Sequence, residues 1–250
     1  MPVKIVMSGC QGRMGKNILE CARADQEVEV AGQFDKDDDP AKAIQSGVVV
    51  IDFSFHSATP GIVKAALAKR CPLVIGTTGL TDAERQTVTD ASREVAVVYA
   101  PNMSVGVNLL FALTEMVAGI LKSGYDIEII EKHHRHKKDS PSGTADKLAK
   151  LAAKARGLDL AAEARHGRQG MVGERTADEI GIHAIRGGDY VGEHTVIFAS
   201  EGEVVELTHK ASSRLVFARG AVVAAKWANQ AKPGLYDMLD VLGLRLKNAK

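Results

Sequence analysis

Between residues 3 and 99, short apolar runs alternate with stretches of helical spacing, and no other feature restricts the possible folds as much. The runs lie at 3–7, 28–34, 48–53, 73–75 and 95–99, and the helical stretches at 12–23, 59–69 and 81–92. Runs of Val and Ile that are continuous rather than alternating belong to strands buried on both faces, and such strands form parallel sheets covered by helices. Residues 1–103 are therefore expected to form a doubly wound, Rossmann-like α/β layer.

After Pro101 the rhythm changes. A helix is expected over 105–121, a strand over 127–130, a second helix over 145–155, and then strands over 182–186, 190–199 and 203–209. Gly187-Gly188 and Glu201-Gly202 fall where hairpin turns belong, which points to a small, mostly antiparallel or mixed sheet in a second, α+β domain. The segment 157–178 is rich in Gly, Arg and Glu without apolar periodicity and reads as a long surface loop. Two further stretches, 214–229 and 234–242, have helical spacing and would return to cover the first sheet. The boundaries that follow are 1–103 with 214–250 for a dinucleotide-binding domain, and 104–213 for the second domain.

The chain has 250 residues, 45% of them hydrophobic and 25% charged, which is enough for two ordinary domains with full cores. A net charge of +1 argues against a nucleic-acid-binding surface. The three cysteines, Cys10, Cys21 and Cys71, form no CxxC pair and suit a reducing compartment. No apolar segment approaches the ~20 residues of a membrane span, and the N-terminus runs straight into a strand without a signal-peptide profile. A cytoplasmic protein with no nucleic-acid or membrane partner is expected.

Gly9-Cys10-Gln11-Gly12-Arg13-Met14-Gly15 joins the first strand to the first helix, the place where a dinucleotide pyrophosphate meets backbone N–H groups. The spacing is GxxGxxG rather than GxGxxG, so the glycines alone are equally consistent with a tight structural turn. Asp35, 20 positions after Gly15 at the end of the second strand, favours the nucleotide, because an acidic residue there accepts hydrogen bonds from ribose hydroxyls. Lys36 and Arg13 would accommodate a 2′-phosphate, so both NADH and NADPH are expected to serve. Gly76-Thr77-Thr78-Gly79 and Ala100-Pro101-Asn102-Met103-Ser104 fall at carboxyl ends of strands in the same sheet, where ligands of open α/β sheets bind. Each of these loops alone would be read as a turn.

The run 131–145, EKHHRHKKDSPSGTA, lies where a strand hands over to a helix. Ser142 is a good N-cap, and Gly143 and Thr144 then offer N–H groups at the positive end of the helix, where a carboxylate or phosphate docks. For His133, His134 and His136 three readings compete. Local structural histidines fit poorly beside Arg135, Lys137 and Lys138. A zinc site would be opposed by those cations and lacks a helical i, i+4 pair, so no metal is expected. The third reading is a general acid with anion-binding helpers. If the strand continued through the cluster, His133, Arg135 and Lys137 would share one face and His134 and His136 the other.

The strand–GxxGRMG–helix opening, the GTTG loop, the APNMSVGVN stretch and EKHHRHKKDSPSGTA closely resemble the 4-hydroxy-tetrahydrodipicolinate reductase family of diaminopimelate and lysine biosynthesis. Gly181-Ile-His-Ala-Ile-Arg186, Gly192-Glu-His-Thr195 and Thr208-His-Lys-Ala-Ser-Ser-Arg214 resemble the same family, so the likeness runs nearly end to end. The resemblance implies an NAD(P)H-dependent oxidoreductase that reduces a small cyclic dicarboxylate imine. It places the proton donor at His133 and its lysine partner at Lys137, and substrate-carboxylate contacts at His134, Gly143 and Thr144. It places cofactor contacts at Gly9 to Met14, Asp35, Lys36, Gly76, Thr77, Thr78 and Ala100 to Met103. It also implies a homotetramer assembled through the second domain.

Overall fold

The computed structural model describes residues 1–245; residues 246–250, expected at the end of the nucleotide-binding domain, lie outside the described residues. The chain divides into two compact units, one from Met1–Val105 with Arg214–Leu244, the other from Gly106–Ser213 with Arg245. In chain order the elements begin β1 (Val3–Ser8), α1 (Arg13–Ala24), β2 (Val28–Phe34), α2 (Pro40–Ala43), β3 (Val49–Asp52) and a 3₁₀ turn (His56–Ala58). They continue with α3 (Thr59–Ala68), β4 (Leu73–Ile75), α4 (Asp82–Ala91), β5 (Ala96–Tyr99) and α5 (Val105–Ile120). The second unit adds β6 (Asp126–His133), α6 (Gly143–Arg156), α7 (Leu160–Glu163), β7 (Ala164–Arg165), β8 (Ile180–Arg186), β9 (Gly192–Ser200) and β10 (Glu203–Ala211). The chain ends with α8 (Leu215–Ala228), β11 (Gly234–Tyr236) and α9 (Met238–Val241). Among the described residues, no helix is long and apolar enough to cross a membrane.

The first sheet runs β2-β1-β3-β4-β5-β11 with every pairing parallel. Its strands are apolar on both faces for the reason the sequence suggests. Ile5, Met7, Val49 and Ile51 pack with Ile18 and Leu19 of α1 and with Ala218, Ala221 and Ala224 of α8. Val6, Val50, Leu73 and Ile75 pack with Ile62 and Val63 of α3 and Val88 of α4 on the other side. The chain leaves β1 toward β2 on one side and reaches β3 on the other, so the topological switch lies between the carboxyl ends of β1 and β3.

The helix expected over 234–242 is instead β11 followed by the short α9. Gly234, Leu235 and Tyr236 pair in parallel with Ala96, Val97 and Val98 at the open edge of β5. A short apolar run is ambiguous between helix and strand, and here a free strand edge decides it. Helix formation restarts only where Asp237 caps α9 by accepting from Leu239 and Asp240 N–H.

The second sheet runs β10-β9-β6-β8-β7, with α5 and α6 packed on one face through Leu110, Phe111, Leu148 and Ala152 against Ile127, Ile129, Val196 and Phe198. It is truly mixed: β9 pairs antiparallel with β6 and β10, while β8 pairs parallel with β6 and β7. Glu201-Gly202 turns the β9–β10 hairpin, but Gly187-Gly188 turns none, because β6 lies between β8 and β9. That connection instead wraps the end of β6: Gly187 N–H donates to His133 O, and Tyr190 O and Gly188 O accept from His134 and Arg135 N–H.

The expected long loop holds α7 and the two-residue β7, and its remainder is tied down by arginines. Arg168 and Arg175 both reach Glu128 of β6 (2.9 and 3.1 Å), and Arg168 also pairs with Glu179. Burial alone would raise the Glu128 carboxyl, but Arg168, His183 and Arg175 outweigh it and bring it to about 2.

Close backbone approach is built into the first unit at Gly15, where a Cβ would sit 2.1 Å from Gly9 O and 2.8 Å from Cys10 Cα. Gly15→Ala gains ~1 kcal/mol of helix propensity. It also forces α1 away from backbone atoms that cannot rotate aside, at an overpacking cost of ~1–3 kcal/mol. The expected outcome is a lower urea midpoint; an unchanged or higher midpoint would contradict this packing.

Candidate active site

Gly9 follows β1 with φ +77°, and the position of a Cβ there is taken by Phe53 O at 2.5 Å, so only glycine fits both the conformation and the space. Gly9 and Cys10 N–H both donate to Phe34 O, which fastens the loop to β2. Asp35 lies just beyond β2, where its Oδ2 accepts from Gln11 N–H and its Oδ1 from Lys36 N–H, each at 2.9 Å. Those two donors, Gln11 first, hold the Asp35 carboxyl below its ordinary value. Each oxygen of the ionised carboxylate keeps lone-pair capacity for a further donor.

A cavity of about 530 Å³ over these strand ends is lined by Gly9, Gly12, Asp35, Lys36, Asp38 and Ser54 among others. A second, of about 590 Å³, shares Gly12, Phe53 and Ser54 with it and is lined further by Arg13, Met14, Gly76, Thr77, Thr78, Pro101, Asn102 and Met103. Together they make one cleft across the carboxyl edge of the sheet. Cys10 and Ala100 turn their side chains into the core beneath it, and Gln11 is engaged through its backbone. Burial, then the charges of Asp35 and Asp38, push the Cys10 thiol up. Asp52, fully buried at the end of β3, accepts from Ser54 and Thr59 hydroxyls (2.5 and 2.8 Å) and so fastens Ser54, which lines both cavities. The same rule that singles out the ends of the other strands applies to this Asp-Phe-Ser stretch.

In the second unit the organising group is Glu131, which points inward from β6 and is fully buried. Arg186 grips it with two parallel hydrogen bonds of 2.7 Å, His133 Nδ1 lies 2.5 Å from Oε2, and Ser142 N–H donates to Oε1 at 3.0 Å. Burial alone would raise this carboxyl; Arg186, His133 and Ser142 together bring it below the ordinary value. An ionised carboxylate only accepts, so the Nδ1 of His133 carries a proton, and in the neutral ring Nε2 is the bare nitrogen. The Nε2 edge faces Gly192, where a Cβ would approach to 3.0 Å. Burial pulls the His133 pKa down and Lys137 and Arg186 add to this, while Glu131 opposes them; the net shift is downward.

His194 of β9 stands edge-on to His133 with ring centroids 5.1 Å apart, and its Nε2 lies 3.1 Å from Ser142 Oγ. It is 3% exposed, its Nδ1 has no partner, and burial brings it to about 3, so it is neutral at physiological pH. Ser142 caps α6 by accepting from Ala145 N–H, which places Gly143 and Thr144 in the first turn.

The alternation expected through the cluster stops at His133, where β6 ends. The chain turns at 135–136, and Lys137 N–H closes the turn onto His134 O. Lys137 is thereby folded back so that its charge acts on His133, while its Nζ pairs with Asp139 at 2.9 Å. The ring of His134 has a buried Nδ1 without a partner; Arg135, His136 and Lys138 are exposed.

The first unit has the architecture and the glycine-lined cleft of the pyridine-nucleotide-dependent oxidoreductases. Family models described as "Dihydrodipicolinate reductase, N-terminus" and "Dihydrodipicolinate reductase, C-terminus" match residues 3–103 and 106–242. A 4-hydroxy-tetrahydrodipicolinate reductase of Thiobacillus denitrificans is 47% identical over 98% of this chain and 100% of that protein. One from Akkermansia muciniphila is 50% identical over 97% of this chain and 98% of its own. In fold, the chain matches the dipicolinate-bound dihydrodipicolinate reductase from Paenisporosarcina sp. TG-14 with a TM-score of 0.76 at 24% identity, over 96% of this chain and 99% of that one. The chain belongs to the dihydrodipicolinate reductase family and is an NAD(P)H-dependent oxidoreductase.

His133, His194 and His209 all lie below the ordinary histidine value of 6.5, burial being the main cause for each. The unfolded chain takes up these protons near pH 6.5 and the folded chain only at lower pH. Stability is therefore full above 6.5 and falls on acidification, by up to about 1.4 kcal/mol per pH unit for each histidine. For His194 the window runs from 6.5 down to about 3. Denaturant titrations from pH 7.5 to 5 are expected to show this loss; a flat profile would contradict neutral, buried histidines.

Proposed function

We propose that this protein reduces 4-hydroxy-tetrahydrodipicolinate to tetrahydrodipicolinate in the diaminopimelate route to lysine, with His133 as proton donor. The observation that carries the reading is His133 itself: an imidazole anchored through Nδ1 to a buried carboxylate, beside a lysine and the start of a 14-residue helix. Loss of water from the hydroxylated ring leaves a conjugated cyclic imine. NAD(P)H supplies the hydride that this ring accepts. The enamine so formed needs one proton on carbon, and protonated His133, with Nδ1 committed to Glu131, has only its Nε2–H to give.

The substrate's two carboxylates call for cations and N–H donors. Lys137, itself half-buried, supplies a charge that pairs with the exposed Asp139 and for which a substrate carboxylate would compete. The first turn at Gly143 and Thr144 adds the positive end of the α6 dipole, ~0.3–1 kcal/mol for an anion. His134, with a buried and unpartnered Nδ1, adds a hydrogen-bonding group.

On the cofactor side the fit rests on Gly9 and Gly15, whose missing side chains let the loop turn tightly against Phe53 and let α1 start close against the loop, the geometry that brings a helix N-terminus to a pyrophosphate, and on Asp35, whose carboxylate suits ribose hydroxyls. The reading extends to contacts from Gly9 to Met14, Asp35, Lys36, Gly76, Thr77, Thr78 and Ala100 to Met103, and to a cytoplasmic homotetramer. Its second sheet leaves Ile130, Ile197 and the 57%-exposed Val204 on the face opposite α5 and α6.

The decisive assay follows NADH and NADPH oxidation on adding substrate made freshly from pyruvate and aspartate semialdehyde. Substrate-dependent turnover is expected, with His133→Ala and Lys137→Ala each losing about 10²-fold or more while NADH binding is kept. No turnover by folded wild-type protein that binds nucleotide would refute the reading, and loss of NADH binding in both variants would move the cluster into the nucleotide site. Asp38 joins Asp35 on the cavity wall, its Oδ2 accepting from Asp35 N–H at 2.9 Å, so a 2′-phosphate meets two carboxylates beside Lys36. Asp38→Asn is expected to tighten NADPH binding about 3- to 10-fold relative to NADH in fluorescence titrations. An unchanged ratio would remove Asp38 from cofactor selection.

A further inference from the structure

We infer that Glu131 is a positioning residue for this reaction, fixing His133 as an Nε2 proton donor and tying that donor to the helix start that meets the substrate. The inference rests on the proposed role of His133 and concerns a residue that does not touch substrate.

Glu131 has no exposed surface, and four hydrogen bonds converge on its two oxygens. Such a group is costly to bury, and a purely structural position would be served as well by an apolar side chain. Its partners come from three different places in the fold. Arg186 lies beside His133 in the parallel β6–β8 register, Ser142 opens α6, and His133 sits two residues further along β6. One carboxylate thus sets the ring plane of the donor and the position of the first turn of α6 together.

The chemistry asks for this. An imidazole in water samples two neutral tautomers and rotates about its side chain. A buried carboxylate behind Nδ1 selects the tautomer with bare Nε2, stabilises the imidazolium and directs Nε2–H along one line. Arg186 keeps Glu131 ionised, so that Glu131 accepts from Nδ1 and does not compete as a donor. The charged or titratable groups facing His133 are Glu131, Lys137, Arg186 and His194, and Glu131 alone among them favours the protonated ring.

The test is steady-state kinetics across pH on Glu131→Gln and Glu131→Asp, with circular dichroism and NADH titration as controls for folding. Glu131→Gln is expected to lower kcat about 30-fold or more with KM changed less than threefold. The alkaline limb of kcat should move down by about one pH unit or more, because the charge that favours imidazolium is gone. Glu131→Asp keeps the charge on a shorter arm and should lie between the two. If Glu131→Gln fails to fold, Glu131→Asp decides, with an expected drop in kcat of about 5-fold or more. A purely structural role would scale activity equally at every pH and leave the limb in place, which would overturn the inference. So would a folded variant with wild-type kcat, or one whose KM alone rises. Failure of the proposed reaction is separable, since the wild-type enzyme would then show no turnover.

Discussion

A carboxylate placed fully inside a protein must be answered by charge and hydrogen bonds, and the second unit is arranged around that requirement at Glu131. Its effective desolvation penalty is several kcal/mol, and removing one partner of such a pair typically costs ~3–5 kcal/mol. The answer comes from four elements. β8 supplies Arg186, the residue capping α6 supplies an N–H, β6 supplies His133, and Ser142 passes the network on to His194 of β9. The parallel pairing of β6 with β8 serves the same constraint, because it puts Arg186 next to His133. With β8 on one side of β6 and β9 on the other, Gly187-Gly188 has to pass over the end of β6, and the backbone of 187–190 closes the cluster by pairing with 133–135.

The first unit solves its problem by omission. Around its cleft the chain packs closely at positions where a side chain would collide: Gly9 against Phe53 O, Gly15 against Gly9 O, Gly76 against the Phe53 ring. α8 reaches the same loops by carrying small residues; a Cβ at Gly220 would lie 1.7 Å from Met103 O. Donors and dipoles of the main chain are what such a surface offers, which suits phosphates and ribose. The second unit offers side-chain charge and a titratable ring.

Much of this is legible in the residues. Continuous Val and Ile runs give β1, β3, β4 and β5 almost to the residue, because their burial is a local property of composition. Ser142 reads as an N-cap for the same local reason, and the structure has its Oγ accepting from Ala145 N–H. What depends on distant pairing is not legible. β11 is a strand only because β5 has a free edge, and Gly187-Gly188 looks like a hairpin only while β6 is left out of account. Glu131 stands in the most informative run of the chain, yet glutamate is seldom buried, and its partner Arg186 lies 55 positions away. His194, neutral and enclosed, is likewise an ordinary strand residue until β9 is laid against β6. Lys137 reaches the site through a turn and not through strand alternation, since the ladder ends at His133.

That a buried ionised carboxylate keeps His133 protonated at Nδ1, so that Nε2 is the nitrogen whose proton comes and goes, is open to direct observation. Long-range ¹H–¹⁵N correlation spectra of histidine-labelled protein distinguish the two ring nitrogens and their protons as pH is varied. His133 is predicted to carry its proton on Nδ1 throughout the neutral and alkaline range. Protonation of Nε2 is predicted to follow with an apparent pKa below the ordinary 6.5. A proton on Nε2 at pH 8, or an even mixture of tautomers, would show that Glu131 does not set the state of the His133 ring.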